Sequence, residues 1–122
     1  MTRTLAAVVI ALVSATAAQA HHSSAMYDQE KTRTLRGVVT QVRWTSPHVN
    51  FSVLADGARG EARVPWVLEA TSPGNLMRAG WTRTAIKVGD RLTVVVAPLR
   101  DGTHGGWCRS VTLLDSGKKL EC

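Results

Sequence analysis

Long apolar runs, cysteines and aromatic residues are all scarce in this chain, and each scarcity removes a class of protein. The longest uninterrupted apolar stretch is Leu5 to Val13, nine residues, whereas a membrane-spanning helix needs about 20. No span is expected once that stretch is removed. Serine, histidine and aspartate occur without a nucleophile elbow or any motif that would set a base beside a nucleophile, so the reading is a non-enzyme. The only cysteines, Cys108 and Cys122, lack a ligand-type residue at zinc-finger spacing. Aromatics are limited to four Trp, one Tyr and one Phe, and in a small domain most of them are needed for the core.

Residues 1–20 read as a secretory signal peptide. Arg3 supplies the basic start, Leu5 to Val13 the apolar segment, and Ala18-Gln19-Ala20 a small-residue cleavage site. Removing 20 of 122 residues leaves 102, enough for one small domain with a modest core. Loss of Arg3 leaves 14 Lys and Arg against 9 Asp and Glu, a net charge of +5 on the mature chain. The cationic residues are scattered, as on a solvated surface. A periplasmic or secreted location argues against nucleic acid as a partner and makes an anionic envelope component the more reachable one. In such a compartment Cys108 and Cys122 are expected to form a disulfide. Closing a loop of about 15 residues stabilises a fold by roughly 3 kcal/mol on the entropy model.

Residues 21–33 are a polar arm with Met26-Tyr27 as its expected anchor, and residues 34–122 the folded domain. The first strand, Thr34 to Trp44, sets Val38, Thr40, Val42 and Trp44 on one side. Thr45-Ser46-Pro47 then signals a turn. The next segment alternates, with Val49, Phe51 and Val53 facing one way and His48, Asn50 and Ser52 the other. A third strand, Glu61 to Ala70, has Val64, Trp66 and Leu68 on its core side and Glu69 opposite. Pro65 within it predicts an edge or a bulge. Ser72 as N-cap, Pro73 at the first position and Gly80 beyond the end predict a short helix. A fourth strand buries Leu92, Val94 and Val96. Arg100 to Gly106 reads as a flexible loop and Trp107 to Leu114 as a fifth strand.

Three strands, a short helix and two strands is the order of an OB-like barrel, all-β, five-stranded and partly open. A flat antiparallel sandwich is the alternative. Taken together, His21-His22-Ser23, Tyr27-Asp28, Gly37-Val38-Val39, Trp44-Thr45-Ser46-Pro47-His48, Ser72-Pro73-Gly74-Asn75-Leu76, Gly80-Trp81, Val88-Gly89-Asp90 and Arg100-Asp101-Gly102 carry a resemblance. The chain resembles the small exported bacterial proteins of domain-of-unknown-function family 6152. The resemblance implies an exported OB-like domain and no established activity. Ser24 stands where the family commonly has an aromatic, Ser46 where it commonly has Asn, and the cysteine pair is outside its pattern.

Cleavage after Ala20 would make His21 the mature amino terminus, and its α-amine and ring Nδ1 could then chelate a metal together. Their reference pKa values of about 7.7–8.0 and about 6.5 let both give up protons to a metal near neutral pH. A second imidazole would complete a nitrogen-only brace suited to copper. His48, on a polar strand face after a turn, is the candidate, with His22 its local competitor and His104 the weakest. Asp28 and Glu69 are candidate carboxylate partners for a ligating imidazole. A solvated histidine tip and an ordinary surface His48 are the bland alternative. Of the tryptophans, Trp44 and Trp66 read as core, and Trp107 beside Gly105-Gly106 as the exposed one. The function read from the sequence is therefore metal binding, copper preferred, as carrier, sensor or accessory. The alternative is a module binding a periplasmic protein partner or an anionic envelope component without metal. An oxidative copper enzyme would further need an open copper position facing a substrate.

Overall fold

The computed structural model describes residues 24–122. The expected signal peptide, His21 and His22 lie outside the described residues. Six strands form one sheet: β1 (Arg33–Arg43), β2 (Asn50–Ala55), β3 (Val64–Glu69), β4 (Arg91–Pro98), β5 (Gly105–Leu113) and β6 (Lys119–Glu121), with helix α1 (Pro73–Arg78) between β3 and β4. β1 pairs antiparallel with β2 and β4, β2 with β3, and β4 with β5. A short parallel pairing of β3 with β5, Val67 to Gly105 through Glu69 to Trp107, closes the first five strands into a barrel. This is the OB-like arrangement. β6, which the sequence reading treats only as a returning tail, continues the same edge of β5 beyond β3.

The alternation in β2, β3 and β4 puts Val49, Phe51, Val53, Trp66, Leu68, Leu92, Val94 and Val96 inside. Pro65 lies where β3 has β2 on one side and has not yet met β5, so no ladder bond is lost. In β1 the expected face is wrong over the first half of the strand. Leu35 and Val39 are buried, while Val38 is half-buried and Thr40 exposed. A bulge between Val39 and Gln41 adds one residue against β2. It inverts the parity, so that Val42 also packs against the core.

The helix forms where its caps predict. Ser72 Oγ accepts from the Asn75 amide at 3.2 Å, and Pro73 occupies the first turn. At the other end, Gly80 at φ 95° lets its own amide reach the Met77 carbonyl and the Trp81 amide reach that of Leu76. Leu76 and Trp81 are thereby driven into the core. Gly105-Gly106 is a second correction, since both residues belong to β5 and are buried. A Cβ on Gly106 would meet Val96 Cβ at 2.9 Å and the Ala97 carbonyl oxygen at 3.0 Å. Close packing of strands, rather than flexibility, accounts for glycine there. Cys108 and Cys122 are at disulfide distance, with Cα atoms 5.6 Å apart. No helix among the described residues is long and apolar enough to cross a membrane.

Candidate functional site

One polar cluster lies on the outer face of the sheet where β2, β3 and β5 meet. Asn50 pairs with Glu69, and Glu69 with Trp107. These three therefore form a row on one face, and His48, two residues before Asn50, joins it diagonally. The backbone ladder runs on past β2, since the Val49 amide donates to Thr71 and the Ala70 amide to Val49. That ladder carries His48 in step with Glu69. Its ring follows the Ser46–Pro47 turn, in which the peptide bond is cis.

Glu69 connects the cluster. His48 Nδ1 donates to Glu69 Oε1, and the Tyr27 hydroxyl donates to Oε2 at 2.5 Å. In a neutral ring whose Nδ1 is the donor, Nε2 keeps its lone pair for another partner. Trp107 stands edge-on to the His48 ring at 5.2 Å and packs against Tyr27 at 5.8 Å. His48 and Glu69 keep 29% and 21% of their side-chain surface exposed, so the ring is fixed yet reachable. Tyr27 is 5% exposed. Its burial first, and then the hydrogen bond and negative charge of Glu69, push the phenol well above its ordinary pKa.

Tyr27 also docks the arm. It bridges to Leu99, the Asp28 amide donates to Pro98, and the Arg100 amide donates to Met26. Of the expected anchor pair only Tyr27 is buried, since Met26 is 48% exposed.

The structure thus brings His48 and Glu69 together and directs Asp28 elsewhere. Asp28 sits 3.3 Å from Lys31 and 3.9 Å from Arg100. Desolvation would raise its carboxyl, but the Lys31 hydrogen bond, the Glu30 amide and the two cations outweigh it and hold the group below its usual range. His104 lies against Trp66, ring centres 5.2 Å apart. Among the described residues, no three His, Cys, Asp or Glu side chains converge as a metal cage. Any such set has to draw on residues before Ser24. Trp66 is core, as expected, and Trp44 is half-buried against it. Sequence reasoning missed the contact of Trp107 with His48 and the bond from Tyr27 to Glu69. The alternation of β5 places Trp107 on a face, but only the closing β3–β5 pairing reveals which neighbour it meets.

A closed five-stranded barrel with its helix between the third and fourth strands defines the class as OB-like. Two crystal structures of the mitochondrial single-stranded DNA-binding protein Rim1 from S. cerevisiae share the fold. One aligns with a TM-score of 0.52 at 8% identity over 69% of this chain and 93% of Rim1. The other, selenomethionine-labelled, gives 0.51 at 11% identity over 72% and 97%. At such identities the likeness is one of fold alone. No curated protein matches the sequence. The chain belongs to the family of unknown function DUF6152, whose model matches residues 8–108.

Proposed function

We propose that the chain is exported, is cut after Ala20, and binds one copper ion through the α-amine and ring of His21 together with Nε2 of His48. Its role in this reading is that of a carrier, sensor or accessory protein rather than an enzyme. The observation that carries the reading is the Glu69 carboxylate on His48 Nδ1. A carboxylate there selects the tautomer with Nε2 free and fixes the orientation of the ring, the usual outer partner of a metal-ligating histidine. Tyr27 supports it by tying the arm to the same carboxylate. Tyr27 lies six positions after His21, and extended chain of that length spans at most about 22 Å, enough for a terminus at His21 to reach His48. Nitrogen donors from an amine and two imidazoles suit copper(II) over the harder divalent ions.

The single-stranded DNA binding named for Rim1 has less support in this chain. Trp66 and Trp81 are buried, and Trp107 is packed on Tyr27 and His48, whereas single-strand binders stack bases on exposed aromatics.

The test is the intact mass of the exported protein followed by copper(II) titration, with oligothymidylate as the control ligand. Expected are a mass that places His21 first, one-to-one binding, and clear weakening by His48→Ala and by one extra alanine before His21. Copper binding that is weak, or that ignores both changes, sinks the proposal.

A further inference from the structure

A separate cleft of about 480 Å³ lies between the arm, the start of β1 and the β4–β5 loop, lined by Asp28, Lys31, Arg33, Pro98, Leu99 and Arg100 among others. Its volume falls within the range of small-molecule sites. Its charge is unbalanced. Asp28 serves two cations, Lys31 at 3.3 Å and Arg100 at 3.9 Å. Among the described residues no carboxylate pairs with Arg33. Three cationic groups against one carboxylate leave the cleft at +2.

Both arginines are held in place by contacts that do not neutralise them. The Arg33 guanidinium carbon sits 5.2 Å from the centre of the Trp66 ring. Arg100 Nε donates to the Ala25 carbonyl at 3.0 Å. A guanidinium fixed in this way loses little side-chain freedom when an anion arrives, and its planar fork matches the oxygens of a phosphoryl group. Pro98 and Leu99 give the cleft an apolar wall.

We propose that this cleft is a binding site for an anionic phosphoryl group, held by Arg33, Arg100 and Lys31. The site is independent of His48 and needs no metal. Free phosphate compounds and phospholipid headgroups carry the same group, and the experiment separates them.

The full exported chain, kept in chelator, is titrated calorimetrically with inorganic phosphate at low and at physiological salt. One-to-one binding is expected, weakened about tenfold by Arg33→Gln or Lys31→Gln, as loss of a charged hydrogen bond predicts. Arg33→Lys should restore only part of it, because the fork is lost. The Lys31 side chain is 74% exposed, so Lys31→Gln keeps the test valid should Arg33→Gln disturb Trp66. Arg59→Gln, outside the cleft, should change nothing. Phosphatidylglycerol vesicles that bind and are released by phosphate assign a headgroup; phosphate binding with vesicles left unbound assigns a free anion. No binding of either probe, or binding that ignores both Arg33→Gln and Lys31→Gln, overturns the proposal.

Discussion

Glu69 is the residue on which the site depends, because its two oxygens hold a histidine from one side and a tyrosine from the arm on the other. A hydrogen bond to a charged acceptor contributes roughly 1.5–3 kcal/mol. Partial exposure of Glu69 argues for the lower end, so Tyr27→Phe is expected to cost about 1–2 kcal/mol in urea unfolding at pH 7. The pH dependence follows from the raised phenol. A group whose folded pKa exceeds its unfolded value stabilises fully below the unfolded value, about pH 10 for tyrosine, and loses that contribution as pH rises towards the folded one. The native chain should therefore lose stability above about pH 10 more steeply than Tyr27→Phe does; parallel curves would refute the assignment. On the copper reading, Glu69→Gln should weaken metal affinity by about 10–100-fold, read by the same titration as His48→Ala.

At the scale of elements, strand faces were legible wherever one alternation ran unbroken. β2, β3 and β4 follow the two-residue period of their side chains, and the capping residues of α1 act within a few positions of one another. β1 escapes that reasoning because its bulge inserts a residue that no local signal announces. The closing seam escapes it too. Gly105-Gly106 resembles a flexible linker in sequence, yet β5 runs too close to Val96 and Ala97 of β4 for a side chain at Gly106. Gly106→Ala is accordingly expected to destabilise the barrel by about 1–3 kcal/mol, as overpacking does. A chemical-denaturation midpoint unchanged from that of the native chain would show that the packing of β5 on β4 can give way.

At the scale of the molecule, β6 joins the chain's end to its middle. Cys122 lies beside Cys108, the Cys122 amide donates to Arg109, and Trp81 Nε1 donates to the Glu121 carbonyl at 2.7 Å. The segment after α1 and the last strand are thus tied to each other and to β5. With 14 residues separating the cysteines, oxidation is expected to stabilise the fold by about 3 kcal/mol. Denaturant curves with and without reductant, followed by tryptophan fluorescence, measure it. The double variant Cys108→Ala with Cys122→Ala should behave as the reduced protein does, and a native chain indifferent to reductant would contradict the expectation.

Whatever depends on neighbours along the chain is legible in the residues: the order of elements, the alternating faces of three strands, the capped helix and the polar side on which His48 and Glu69 both lie. These follow from backbone periods and caps that operate over a few residues. Tertiary structure alone decided the phase of β1, the sixth strand, and which partners meet in the cluster. Glu69 reaches His48, Tyr27 and Trp107 only because β2 pairs with β3, β3 closes on β5, and the arm docks along β4. Pairing across strands joins residues tens of positions apart, and register is set by the packing of the whole barrel rather than by any one segment.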